Sequence, residues 1–263
     1  MSSSVQLLDF HDFTSSQVIF SDPTYVRNSN NKIINIMTRN DDGRLTDLIV
    51  NTPPHLMSFG IQEIRDRTTQ EVVGFQLPLC LYAKNGPTDD EKRFVETIQS
   101  FAGECKNFVL QHRHDLREGY EITEEDLGRM DPISWKVSDP PQSPMLYAKL
   151  IVNRRSHSIM TVFINEETNQ EIDPMTLINK RFLATAALKI ENIFIGNRIS
   201  IHVKLYEVLV KFITSRPRNV YQPRSILRPS VPIKASSTTA IEEKTKPHSN
   251  PFQVLDDDDD PSS

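Results

Sequence analysis

From Asn197 to Phe212, apolar and polar positions alternate. Ile199, Ile201, Val203, Leu205 and Leu209 take the odd positions, and Arg198, Ser200, His202, Lys204 and Tyr206 the even ones. A period of two predicts a strand with an apolar inward face and a polar, aromatic outward face. Met145–Asn153 repeats the pattern, with Leu146, Ala148, Leu150 and Val152 on one side and Tyr147 and Lys149 on the other. A second run, Ser158–Ile164, follows the basic turn Arg154-Arg155. Asp173 as N-cap with Pro174 at the first position predicts a short helix. Two longer strands then meet at Gly196-Asn197, a dipeptide that suits the positive backbone angles of a tight hairpin. Thr185 and Lys189 are spaced to share a face of the first of these strands.

Earlier in the chain, residues 1–16 read as a flexible start. Gln17–Phe20 and Lys32–Met37 read as strands, and Asp41-Asp42-Gly43 as a turn into the strand Leu45–Val50. Thr52-Pro53-Pro54 breaks regular pairing. His55–Glu63 is expected to dock Leu56, Phe59 and Ile61. Glu71–Ala83 reads as a strand with Phe75, Leu77, Leu79 and Leu81 on one face, and Pro78 within it argues for an edge or a bulge. Thr88-Asp89-Asp90-Glu91 is a capping box. Behind it Phe94, Ile98, Phe101, Cys105 and Phe108 form one helical stripe. Residues 115–142 read as an acidic connector with Trp135 as an anchor.

Composition divides the chain. Residues 1–142 carry a net charge of −8, residues 143–228 carry +7, and residues 229–263 carry −4. A basic module sits inside an acidic chain, which suits a polyanionic partner and, on charge alone, equally a plain solvated face. Hydrophobic content of 37% is low, so part of the chain is expected to be disordered. Residues 214–251 read as a disordered linker, and residues 252–263 as an acidic tail that places Phe252 beside Asp256, Asp257, Asp258, Asp259 and Asp260. The tail suits three roles: solubilising charge, partner docking, or self-competition for the basic face through a flexible tether. Cys80 and Cys105 read as reduced core thiols. No signal peptide or membrane span is evident, which suggests a soluble intracellular protein.

Candidate chemistry follows from these faces. Phosphate loops, HExxH, GxSxG and paired-cysteine metal spacings are all missing from the sequence, so neither an enzyme nor a cofactor is expected. A sheet face that mixes cations with rings suits a single strand, whose phosphates meet the cations and whose unpaired bases stack. By strand parity and charge the candidate binding residues are Tyr147, Lys149, Arg154, Arg155, Phe163, Lys189, Arg198, His202, Lys204 and Tyr206.

Three stretches carry a family likeness: LIVNTPPHLMSFGIQ (Leu48–Gln62), SPMLYAKL (Ser143–Leu150) and KIENIFIGNRISIHVKLYEVLVKF (Lys189–Phe212). Together they resemble the single-stranded DNA-binding proteins of nucleocytoplasmic large DNA viruses, over roughly residues 17–213. The resemblance implies an oligonucleotide-binding (OB) barrel with a basic, aromatic groove and a role in replication, recombination or repair. It supplies no binding residues. The expected fold class is α+β and β-rich, an OB-like barrel elaborated by an N-terminal β-rich part and one long amphipathic helix. In this division residues 17–142 are the N-terminal part, residues 143–213 the basic module, and part of the barrel is expected from the earlier strands.

The expected partners are single-stranded DNA, with RNA as the alternative, and replication or recombination proteins through the tail. No membrane contact is expected, and the oligomeric state is open. The resemblance implies a host cytoplasmic viral factory or the nucleus as the compartment, or packaging in the virion. The alternative functions are a structural virion or scaffold protein and a transcription accessory factor that prefers duplex DNA.

Overall fold

The computed structural model describes residues 6–27, 29–116, 121–128, 130–136, 143–153, 155–156 and 158–213. All of them belong to one unit, Met1–Ser215. The expected linker 214–251 and tail 252–263, with Phe252 and Asp256–Asp260, lie outside the described residues, as does Arg154.

In chain order the strands are β1 (Leu7–Leu8), β2 (Ile19–Phe20), β3 (Thr24–Tyr25), β4 (Lys32–Arg39), β5 (Leu45–Asn51), β6 (Leu56–Ser58) and β7 (Gln62–Arg65). There follow β8 (Val72–Cys80), helices α1 (Asp89–Gln111), α2 (Arg113–Leu116) and α3 (Glu124–Leu127), then β9 (Ile133–Ser134) and β10 (Met145–Leu150). The last are β11 (Val162–Asn165), β12 (Phe182–Ile195) and β13 (Ile199–Phe212).

β12 and β13 form the spine, each 14 residues long and antiparallel over nearly their whole length. One edge of β12 is covered in succession by β6, β5 and β4. From β6 the pairing continues through β8 and β10 to β13, which returns to β12 and closes a five-stranded barrel. β10 runs parallel to β13, and every other step round the barrel is antiparallel. With β5–β6 counted as the first strand, the order round the barrel is 1-2-3-5-4, the order of an OB barrel. Closure removes the exposed edges that an open sheet of this size would leave.

Local chemistry explains how the first barrel strand survives two prolines. After Asn51, the Thr52 N–H donates to Ala186 O (2.8 Å), and the Thr52 hydroxyl accepts from Ala186 N–H (3.0 Å). The His55 N–H donates to the Thr185 hydroxyl (3.1 Å) as pairing resumes. Pro78 does not lie at an edge as its ring suggests, for β8 pairs on both sides. Ser58 donates its hydroxyl to Pro78 O (2.8 Å). N–H and C=O of one strand residue point the same way, so the donor that proline lacks faces the break between β6 and β7, where no ladder bond is lost.

Thr88 caps α1 as predicted, with both bonds of the capping box formed. The helix buries Phe94, Ile98, Phe101 and Cys105 on one face. The start of the chain is not a free arm from Leu7 onward. β1 pairs with β5, Phe10 meets Phe94 edge-on at 5.7 Å, and Phe13 lies 6.1 Å from Phe101. Apolar residues spaced along Leu7–Phe13 hold it against the helix. Cys80 and Cys105 are free and buried, and burial raises both thiol pKa values.

Three expectations in the spine need correction. The Gly196-Asn197 turn exists, yet neither residue takes a positive φ. Glycine there avoids crowding instead, since a Cβ would stand 2.6 Å from the Phe194 ring and 2.9 Å from Asn31 Oδ1 and would force those side chains to shift. The alternation of β13 does not run through to Leu209. Its pairing with β12 shifts between Ala187 and Leu188, so Tyr206 bulges out and Val208 and Val210 become the inward residues. The runs Met145–Asn153 and Ser158–Ile164 do flank a turn, but only β10 and β11 within them are strands. β10 and β11 both lie parallel to β13. The residues between them form a small excursion closed by the Val152–Ile159 bridge and pinned by Thr161, whose hydroxyl donates to Leu205 O (2.8 Å). Phe163 consequently enters the core beside Val208, fully buried, and is no surface ring.

Candidate nucleic-acid interface

The outer face of β6, β8 and β10 carries a recess of about 850 Å³. Its floor is set by register, which places Met57, Cys80 and Met145 in one row and Pro78 beside Tyr147 in the next. Parity built this floor. Leu77, Leu79 and Leu81 fill the barrel, so Pro78, Cys80 and Tyr82 must face outward. In an OB barrel, the face of the second and third strands is where oligonucleotides and oligosaccharides bind, and here those strands are β8 and β10.

Rings and cations form the walls. Phe59 and Trp135 are 41% and 49% exposed. Trp135 meets Tyr82 edge-on at 6.1 Å, and the Arg181 guanidinium stands 5.4 Å from the centre of the Phe59 ring. Lys84 and Lys136 complete the positive charge, and no carboxylate lines the recess among the described residues. The wall from Ala83 to Pro87 is held by the capping glutamate of α1, whose Oε2 accepts from Ala83 N–H (3.1 Å) and Thr88 N–H (2.8 Å). Gly60, at φ +92°, lets the Phe59 turn press on the backbone of Lys180, 2.4 Å from where a Cβ would sit.

Of the residues expected at the interface, Tyr147 lines this groove. Lys149, Lys189, His202 and Lys204 share the outer face that continues across β10, β13 and β12. Two of these lysines are already paired, Lys204 with Glu191 at 2.7 Å and Lys189 with Asp47 at 2.6 Å. His202 does not act as a cation at neutral pH. Partial burial, reinforced by the Lys149 charge, pushes its imidazole down to about 4, and its ring stacks on Phe194 with centroids 5.4 Å apart. Arg155 and Arg198 are exposed in turns and Tyr206 at its bulge, and none of the three lines the groove.

The sequence does not single out Tyr82, Lys84, Lys136 and Arg181; it predicts Phe59 docked with Leu56 and Ile61 and Trp135 as an anchor of the connector, whereas both stand exposed in the groove. The even-position parity of Pro78, Cys80 and Tyr82 was the available signal. Trp135 and Arg181 reach the groove from flanking loops, where no period exists to read. Chemically, the groove offers stacking surfaces over an apolar floor and charges placed for anions at its rim. Among the described residues no cluster of three or more His, Cys, Asp or Glu is placed to hold a metal, and no helix is long and apolar enough to cross a membrane.

The chain is similar to virus proteins. It is 25% identical over 185 residues to uncharacterized protein 007R of Invertebrate iridescent virus 3, covering 66% of this chain but only 40% of that protein's length. It is 23% identical over 221 residues to the early 31 kDa protein of Frog virus 3 (isolate Goorha), covering 81% of this chain and 83% of the relative. A family match extends over residues 12–250, well beyond half the chain. The chain therefore belongs to the family described as protein of unknown function (DUF2738).

Proposed function

We propose that the protein binds single-stranded nucleic acid without sequence preference, and serves viral DNA replication, recombination or repair. The observation that carries this reading is the groove on the β8–β10 face, with four aromatic side chains, three cations and, among the described residues, no carboxylate. Every base has a π-face, so rings stack on a single strand whatever its sequence. A duplex hides those faces, and a neutral oligosaccharide has no use for the cations. Kinship with virus proteins supports a viral setting, and the replicative role is part of the proposal.

Fluorescence anisotropy of labelled oligo(dT) and of a duplex of equal length, over a range of salt, tests the reading. The expected result is tighter binding of the single strand, with affinity that falls as salt rises, as counterion release requires. Equal or stronger duplex binding would overturn it. Binding of neither would favour the other candidate, a structural virion or scaffold protein whose apolar groove floor receives a protein partner.

A further inference from the structure

Lys149, Lys204 and Lys189 stand side by side on β10, β13 and β12, because register pairs Lys149 with Lys204 and Lys204 with Lys189. Each lies between inward neighbours that are buried, so all three project from the outside of the barrel. Adjacent strands are about 4.8 Å apart, and like charges directly opposite one another destabilise a sheet. The chain relieves two of the three. Glu191 Oε1 takes Lys204 at 2.7 Å and Asp47 Oδ2 takes Lys189 at 2.6 Å. Among the described residues no carboxylate lies within ion-pair distance of Lys149. Tyr147 of the groove lies two residues before Lys149 on the same face of β10, so the row continues the groove.

We propose that this row is a subsite for the phosphodiester backbone of the strand whose bases enter the groove, and that Glu191 and Asp47 are built-in competitors displaced by the phosphates. The ligand rests on the single-strand reading given above; the competition rests on the ion pairs. A displaced carboxylate takes up a cation from solution, which offsets part of the counterion release on the nucleic-acid side. Wild-type binding therefore depends on salt less steeply than a row of three free lysines.

Two probes, oligo(dT) and inorganic polyphosphate, separate the row from the groove, since polyphosphate has no bases. Glu191→Gln and Asp47→Asn should each tighten both probes by about 2- to 5-fold, the worth of a surface ion pair. Each should also steepen the slope of log affinity against log salt by about 0.7 for the lysine freed. Lys149→Gln should weaken both probes. Unchanged or weaker binding of both probes in the carboxylate variants, with melting temperature preserved, would overturn the inference. Should those variants lose their fold, unchanged polyphosphate affinity in Lys149→Gln would overturn it instead. If the groove reading alone fails, polyphosphate still responds to Glu191→Gln while oligo(dT) binds no better than polyphosphate. If the row alone fails, oligo(dT) still outbinds polyphosphate and neither probe responds to the carboxylates.

Discussion

Replacing Trp135 and Tyr147 together by alanine is expected to weaken oligo(dT) binding by about 30-fold or more, since each stacked base is worth about 1–3 kcal/mol. Both rings stand partly in solvent, at 49% and 36% exposure, and neither belongs to the buried core. The fold should therefore lose little, and the melting temperature should hold. Trp135 follows the short strand β9 and packs edge-on against Tyr82, while Tyr147 projects from the centre of β10 opposite Pro78. They come from separate segments yet face one recess, so losing both removes stacking surface from the wall and the floor. Anisotropy on the double variant reads the effect. Affinity within a factor of two of the wild type would move the binding site away from the β8–β10 face.

Phe163→Ala is expected to destabilise the protein by about 3–5 kcal/mol, the usual cost of deleting a buried aromatic side chain. Parity along Ser158–Ile164 allowed this residue to be a surface ring, and the structure places it in the core beside Val208. The two placements predict opposite outcomes. A core phenylalanine leaves a cavity, lowers the denaturant midpoint and spares the affinity of whatever protein stays folded. A surface ring would leave stability almost unchanged and cost binding. Urea unfolding followed by circular dichroism distinguishes them.

Much of the barrel was legible because its strands write their own period. The three stretches that carry the family likeness became β5–β6 with the Gly60 turn, β10, and the β12–β13 spine. Between them they form every barrel strand except β8, and β8 itself was visible through Leu77, Leu79 and Leu81. Two-fold alternation is a local signal, and it survives wherever pairing is regular. It fails at a bulge, as at Tyr206, where one extra residue sends Val208 and Val210 inward in place of Leu209. It fails also where a second strand joins the same edge, as β11 does after β10, because no hairpin links them and parity carries no information across the excursion.

The groove was only partly legible for a related reason. Its floor comes from strands and its walls from loops. Tyr147 could be found by alternation, whereas Trp135 and Arg181 arrive from segments with no repeat, and Phe59 turns outward because Gly60 permits a close approach to Lys180. Nor does charge counting reveal pairing. The module's net charge of +7 includes Lys189 and Lys204, both held by carboxylates, one of them Asp47 from the acidic part of the chain. The cations of the groove are spread over three segments, and two of them, Lys84 and Lys136, lie in the part whose total is negative.

Trp135 is the chain's single tryptophan, and it stands in the groove wall. Its fluorescence therefore reports on the proposed site without any label. A titration of the full chain with oligo(dT) at low salt should quench that emission to a plateau as bases stack near the indole, and added salt should reverse the quench. Binding seen by anisotropy with no change in tryptophan emission would contradict the account, because the strand would then lie elsewhere on the barrel.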